Sequence, residues 1–133
     1  MTHVLDASAV LALLKREPGH QHVAALMAGG DCIVCAVNWA ETASKLAESG
    51  HPSAAVEATL AALNATIIPF DPIHAVACGL LRPATRHLGL SLGDRACIAL
   101  AQLTRATVIT ADRPWLQLAE PLGLPIECIR PAP

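Results

Sequence analysis

Short apolar runs alternate along the chain with longer segments in which apolar residues recur at helical spacing. The short runs predict strands over residues 2–5, 32–37, 66–70, 107–110 and 126–129. The longer segments predict helices over residues 7–16, 20–28, 38–49, 52–63, 72–81, 94–104 and 114–119. Glycine and proline separate several of these elements, as at Pro18-Gly19 and Gly29-Gly30. This order of elements is typical of an α/β protein.

Strands this apolar, separated by helices, favour a parallel sheet that is buried on both faces. We therefore expect a three-layer α/β/α sandwich with a mostly parallel central sheet. The chain has 133 residues, of which 53% are hydrophobic and 15% are charged, enough for the core of one domain. No repeat, linker or low-complexity tract divides it, so we predict a single domain over residues 1–133.

The apolar composition raises the question of a membrane segment. Residues 58–70 form an uncharged stretch as long as any in the chain, but they include Asn64 and Pro69. The stretch is also shorter than the roughly 18 apolar residues that a spanning helix needs. Asp6 interrupts the apolar N-terminal segment, which argues against a signal sequence. We expect a soluble, cytoplasmic protein with no membrane segment.

The cysteines do not predict disulfides or a zinc site. Their number is five, so they cannot all pair. Cys32 and Cys35 have CxxC spacing, but an odd separation along a strand directs the two sulfurs to opposite faces. We expect free, mostly buried cysteines in a reducing compartment.

Four acidic residues stand beside predicted strand ends or helix starts. Asp6 follows the first strand and Asp112 follows the fourth. Glu41 lies in the first turn of the predicted helix after the second strand, and Asp94 opens the helix before the fourth. Ligands of open parallel sheets bind beyond the carboxyl ends of the strands, so all four could converge on one edge.

Each acid taken singly also has a structural explanation. Asp6 and Asp112 could cap the helices that follow them. The segments from Asn38 to Glu41 and from Ser91 to Asp94 have the spacing of a capping box. Together, however, clustered carboxylates repel one another and are stabilised by a hard cation such as Mg²⁺ or Mn²⁺. The formal net charge of −2 argues against a passive nucleic-acid coat, but not against an enzyme with such an acidic site.

Four segments of the chain carry a resemblance to a known family. They are Val4-Leu5-Asp6-Ala7-Ser8-Ala9, Val37-Asn38-Trp39-Ala40-Glu41, Leu90-Ser91-Leu92-Gly93-Asp94-Arg95-Ala96-Cys97 and Val108-Ile109-Thr110-Ala111-Asp112-Arg113. In order and spacing they resemble the successive motifs of PIN domains, in particular those of the VapC toxins of bacterial VapBC toxin–antitoxin pairs. The resemblance covers essentially the whole chain.

The resemblance implies roles for six residues. Asp6 and Asp94 would be the principal metal ligands, and Glu41 and Asp112 would complete the acidic pocket directly or through water. Ser8 and Thr110 match hydroxyl positions of the motifs and would hold water or orient Asp6 and Asp112. Local backbone bonding near helix starts is an equally good explanation of these two hydroxyls.

The resemblance also implies an activity and partners. The expected activity is that of an Mg²⁺- or Mn²⁺-dependent endoribonuclease that hydrolyses RNA phosphodiester bonds, leaving a 5′-phosphate and a 3′-hydroxyl. The expected partners are a cognate VapB-type antitoxin that blocks the site and a second copy of the chain in a homodimer. Two alternatives stay open: a non-catalytic RNA- or protein-binding module on the same fold, and a housekeeping PIN nuclease.

Two other α/β enzyme classes place aspartates at strand ends, and the sequence departs from both. A haloacid-dehalogenase-type phosphatase needs a second aspartate where Ser8 stands, and a response-regulator receiver needs paired acids after its first strand. Arg95 and Arg113 follow two of the acids and are either phosphate contacts or solvated surface. Trp39 is expected in the core, and Trp115 either in the core or as a platform for base stacking.

Overall fold

The computed structural model describes all residues from 1 to 133. Its strands are β1 (His3–Leu5), β2 (Cys32–Cys35), β3 (Thr66–Ile68), β4 (Thr107–Thr110) and β5 (Ile126–Cys128). Its α-helices are α1 (Ala7–Leu14), α2 (His20–Ala28), α3 (Ala36–Glu48), α4 (Ser53–Ala61), α5 (Pro72–Leu80), α6 (Arg82–Thr85), α7 (Leu92–Thr104) and α8 (Ala119–Leu122). Two 3-10 helices cover Arg86–Leu88 and Arg113–Leu118.

The strands form one sheet in the order β3-β2-β1-β4-β5, with every neighbouring pair parallel. The sheet lies between helices on both faces, so the predicted three-layer α/β/α sandwich is confirmed. All five predicted strands are present, and the sheet is parallel throughout rather than mostly parallel. The first and fourth strands, which precede Asp6 and Asp112, are direct neighbours.

Alternation along the strands divides the core into two main clusters. Val4 and Val108 pack on one face of the sheet with α5, α7 and the 3-10 helix Arg113–Leu118. Leu5 and Ile109 pack on the other face with α1 and α2. Side chains of successive strand residues point to opposite faces, which explains this division. A third, small cluster joins α3 to α4.

The cysteine prediction follows the same alternation. Cys32 packs in the α1–α2 cluster and Cys35 in the α5–α7 cluster, so the CxxC pair is split across the sheet as expected. All five cysteines are free, and four of them are buried. No helix combines the length and apolar character that crossing a membrane requires.

Three local predictions are wrong. The second strand ends at Cys35 and α3 starts at Ala36, so Glu41 lies in the second helical turn and not in the first. Cys35 is the N-cap of α3, and Asn38 lies inside the helix instead of opening a capping box. The helix that carries Asp94 begins at Leu92, which makes Asp94 its third residue. Helix α3 follows the second strand without an intervening residue, so the sequence carries no turn signal at this boundary, which explains the first two errors.

The two tryptophans differ in their surroundings. Trp115 is fully buried in the α5–α7 cluster, so the base-stacking alternative is wrong and the core alternative is confirmed. Trp39 is half-buried and packs against both the α1–α2 cluster and the small α3–α4 cluster.

Candidate active site

The carboxyl ends of β1 and β4 bring together the first part of the site. Asp6 is the residue after β1, and its backbone N–H donates to the carbonyl of Ile109 in β4 at 3.1 Å. Thr110 is the last residue of β4, and Asp112 follows two residues later. The adjacency of the two strands therefore places Asp6 beside Thr110.

Both carboxylate oxygens of Asp6 accept hydrogen bonds. Oδ1 accepts from the hydroxyl of Ser8 at 2.7 Å and from the N–H of Ala9 at 3.0 Å, and Oδ2 accepts from the hydroxyl of Thr110 at 2.9 Å. The bond from Ala9 makes Asp6 the N-cap of α1, so the capping explanation is confirmed. The same carboxylate also accepts from Thr110 at the end of β4, so Asp6 can cap α1 and take part in the site at the same time.

Burial dominates the charge state of Asp6, which is only 4% exposed. The pKa of Asp6 is raised from 3.8 to about 6, mainly by burial and to a smaller extent by the negative charge of Asp94. The hydrogen bonds from Ser8, Ala9 and Thr110 act in the opposite direction and lower this pKa. The carboxyl group thus titrates close to neutrality in the protein without a cation.

The two hydroxyls tie Asp6 to the end of β4. Ser8 Oγ accepts from the N–H of Ala111 at 2.9 Å while it donates to Asp6. Thr110 Oγ1 accepts from the N–H of Asp112 at 3.0 Å while it donates to Asp6. Each hydroxyl therefore holds both a carboxylate oxygen and a backbone group, which fixes the orientation of the Asp6 carboxylate.

The second part of the site lies where α3 packs on α7. The carboxylate of Glu41 occupies the space beside the α-carbon of Gly93, where a Cβ atom would overlap it. The side-chain amide of Asn38 donates to Glu41 Oε1 and to the carbonyl of Gly93, both at 2.9 Å. Asn38 is buried and was not among the predicted site residues. Its spacing of three residues from Glu41 was the available signal, since this spacing puts both on one helix face.

Asp94 follows Gly93 directly and forms a capping box with Ser91. Its Oδ2 accepts from the N–H of Ser91 at 2.9 Å, and its own N–H donates to the hydroxyl of Ser91 at 3.1 Å. The capping-box prediction for this segment is confirmed. The other carboxylate oxygen of Asp94 has no hydrogen bond within the protein.

Asp112 is exposed and stands at the N-cap position of the 3-10 helix, but its side chain makes no capping hydrogen bond. The capping explanation is therefore wrong for this residue. Its position depends on its backbone N–H, which donates to Thr110 as described above.

Three of the acids act electrostatically on one buried thiol, that of Cys97. Cys97 is fully buried, and burial raises its pKa well above the usual range. The negative charges of Asp6, Asp94 and Glu41 raise the pKa of Cys97 further. The acids that follow β1 and that lie on α3 and α7 therefore all act electrostatically on the same buried atom.

None of the four candidate acids has a basic partner. The carboxylates that form ion pairs belong to Glu17, Asp31, Glu48 and Glu127. Uncompensated carboxylate oxygens are the ligands that Mg²⁺ and Mn²⁺ prefer, so the donor set fits a hard divalent cation. No three Asp, Glu, His or Cys side chains lie close enough to one another to bind a metal ion together. A cation would therefore have to draw the carboxylates closer.

The nearby arginines are engaged with the protein backbone. Arg95 is half-buried and donates to the carbonyl of Cys78 at 3.4 Å, on the side of α7 that faces α5. Arg113 donates to the carbonyl of Arg130 at 2.7 Å. These bonds support a structural role for both arginines over phosphate contact.

The family model of the PIN domain matches residues 3–121 of the chain. The chain belongs to the PIN-domain family. Its four acids, Asp6, Glu41, Asp94 and Asp112, all lie within the matched region.

Solved structures share this PIN fold over nearly the whole chain. A toxin–antitoxin complex from Klebsiella pneumoniae matches with a TM-score of 0.75 and 20% identity, covering 98% of this chain and 100% of the other. VapBC2 from Rickettsia felis, bound to a DNA fragment from its promoter, matches with a TM-score of 0.69, 19% identity and coverage of 96% and 98%. FitAcB from Neisseria gonorrhoeae matches with a TM-score of 0.67, 18% identity and the same coverage. The comparison with curated protein sequences finds no match.

Proposed function

We propose that this PIN domain is an Mg²⁺- or Mn²⁺-dependent endoribonuclease. The observation that carries the proposal is the set of four acids without basic partners, of which three raise the pKa of one buried thiol, that of Cys97. Burying or crowding carboxylates costs free energy unless a cation offsets their charge. A binding module without catalytic activity has no need to carry this cost.

In the proposed site Asp6 and Asp94 are the principal ligands, and Glu41 and Asp112 complete the shell directly or through water. A bound divalent cation supplies Lewis acidity toward the phosphodiester and favours ionisation of a water molecule. Ser8 and Thr110 orient the Asp6 carboxylate, and their hydrogen bonds favour its ionised form, which is the form that would hold a cation. No side-chain nucleophile is required, because water is the attacking group.

The test is cleavage of a single-stranded RNA by the purified protein. We expect cleavage in Mn²⁺ or Mg²⁺, loss of cleavage in EDTA and recovery after metal is added back. The same cations should raise the melting temperature of the wild type, by mass action, and should not raise that of Asp6→Ala. Glu57→Gln, an exposed acid on α4, is the matched control and should behave as the wild type does. RNA binding that persists in EDTA, without cleavage under any condition, would instead support the binding-module alternative.

We further propose that the protein is the toxin of a toxin–antitoxin pair. The neighbours in the fold comparison include toxin–antitoxin complexes, which supports this proposal without extending to the identity of the partner. A VapB-type antitoxin could inhibit the site by placing an arginine among the unpaired carboxylates, a strong charge-assisted contact. Free cysteines agree with a cytoplasmic location, where thiols stay reduced.

A homodimer is proposed on the exposed face of α5. Ile73, Val76 and Leu80 follow one another at helical spacing and are 72%, 63% and 75% exposed. A contiguous apolar stripe of this kind is costly to leave in water and is typical of a protein interface. The stripe lies on α5, and none of the four acids belongs to this helix.

A further inference from the structure

We propose that Asn38 is a positioning residue that holds the Glu41 carboxylate in the space left by the missing side chain of Gly93. The proposal rests on the ribonuclease function proposed above and adds two residues to its site. Its basis is one juxtaposition, in which the Asn38 amide, the Glu41 carboxylate and the Gly93 backbone meet at the contact between α3 and α7.

The hydrogen bonds of Asn38 determine which way its amide points. Glu41 Oε1 and the Gly93 carbonyl are both acceptors, so the Asn38 nitrogen must face them and use its two hydrogens. The amide oxygen is left buried and without a partner. A buried polar atom of this kind costs free energy, which offsets part of the stability that the two hydrogen bonds of the amide nitrogen contribute.

Gly93 contributes space rather than backbone freedom. It is the second residue of α7, where alanine would favour the helix more strongly than glycine does. A Cβ atom there would overlap the carboxylate of Glu41 and not an apolar neighbour. Glycine at this position therefore keeps the Glu41 carboxylate close to the start of α7.

The consequence is a defined relation between two carboxylates on different helices. Asp94 is adjacent to Gly93 and is held by its capping box with Ser91. Asn38 and Gly93 hold Glu41 against the same turn of α7. Without the amide, the half-exposed Glu41 side chain is free to turn into solvent, so drawing its carboxylate to a cation carries an additional entropic cost. Partners that orient metal ligands typically contribute about 10–100-fold to metal affinity or activity.

The experiment measures Mn²⁺ binding by calorimetry without RNA, and kcat and KM for RNA cleavage across Mn²⁺ concentrations. Asn38→Ala and Gly93→Ala should each weaken Mn²⁺ binding by about 10–100-fold and raise the Mn²⁺ concentration needed for half-maximal cleavage. The KM for RNA at saturating Mn²⁺ should change little. Thr42→Val is the matched control, because Thr42 is buried on the same helix and its hydroxyl bonds only to the Asn38 carbonyl.

A second cycle separates positioning from folding. Gly93→Ala should lower or leave unchanged the melting temperature in the wild-type background. In the Glu41→Ala background the space is vacant, so the same change should raise the melting temperature through its helix propensity. An equal shift in both backgrounds would overturn the role of Gly93. Mn²⁺ binding by Asn38→Ala equal to that of Thr42→Val would overturn the role of Asn38.

The two levels of the proposal fail in different ways. Retention of full cleavage by Asp6→Ala would overturn the ribonuclease site itself. Loss of cleavage in Asp6→Ala, combined with wild-type Mn²⁺ binding in Asn38→Ala, would leave the site standing and overturn only the positioning role.

Discussion

The hydroxyl of Thr110 donates a 2.9 Å hydrogen bond to Oδ2 of Asp6, a residue 104 positions away in the sequence. The bond joins the ends of two neighbouring strands, and it also connects two of the acids, because Thr110 accepts from the backbone N–H of Asp112. One hydroxyl thus sets the relative positions of Asp6 and Asp112.

Thr110→Val should lower RNA cleavage by about tenfold to a hundredfold at neutral pH. Hydrogen bonds to charged groups contribute about 1.5–3 kcal/mol, and the valine offers no donor to Asp6. The pKa of Asp6 should rise further, because this bond lowers it in the wild type. The acid limb of the pH–rate profile should move to higher pH. Thr107→Val, a buried threonine at the other end of β4, is the control and should leave the profile in place.

Asp6 should make the metal-free protein less stable as the pH rises. Its folded pKa of about 6 exceeds the ordinary value of 3.8, so the folded state retains the proton longer than the unfolded state does. The contribution of the Asp6 carboxyl to the free energy of unfolding is fully present below about pH 4. It is lost as the pH rises through 6, a change of about 3 kcal/mol. In urea unfolding with EDTA present, the free energy of unfolding of Asp6→Asn should therefore rise relative to that of the wild type between about pH 4 and about pH 7. A constant difference between the two proteins over this range would contradict the assignment.

Substitutions at Asp94 and Ser91 should distinguish helix capping from metal binding at the start of α7. Asp94→Asn keeps an oxygen that can accept from the Ser91 N–H but lacks the charge for a cation, so it should fold normally and lose cleavage. Ser91→Ala removes the hydroxyl that accepts from Asp94 but keeps the carboxylate. It should lower stability by about 1 kcal/mol while cleavage persists. Substantial cleavage by Asp94→Asn in Mg²⁺ would rule out Asp94 as a ligand.

The α5 stripe should control the oligomeric state. Light scattering on a sizing column should give a dimer for the wild type and a monomer for Val76→Lys, since a charge in a buried apolar interface is strongly unfavourable. Leu103→Lys, which charges an exposed leucine outside the stripe, should remain a dimer. A wild-type protein that is monomeric in this measurement would show that the proposed homodimer is wrong.

A toxin of the proposed kind should inhibit growth when produced alone and be harmless beside a cognate antitoxin. None of the four acids is paired with a basic residue of this chain, which leaves them available to an arginine supplied by a partner. The measurement is growth after separate induction of the wild type and Asp6→Ala, with soluble expression verified for both. Equal growth would argue against a toxin and leave the housekeeping nuclease as the remaining alternative.

Local interactions made several features predictable from the sequence alone. The alternation of apolar runs and helical segments predicted the five strands and the layered fold, because side-chain periodicity depends only on the local backbone. The capping box of Ser91 and Asp94 spans four residues and was visible for the same reason. The resemblance of short ordered motifs then pointed to the four acids.

Only the tertiary structure decided how the acids are held. The order of the strands puts β1 beside β4, and this brings Thr110 to Asp6 across most of the chain. The raised pKa of Asp6 comes mainly from burial, whereas the sequence had suggested repulsion among the acids, because desolvation depends on what packs around a group. Asn38 had the spacing of a cap, and only the packing of α3 on α7 turned its amide toward Glu41 and Gly93. Contacts between distant segments leave no periodic trace in a single sequence, so their partners become identifiable only when the chain is folded.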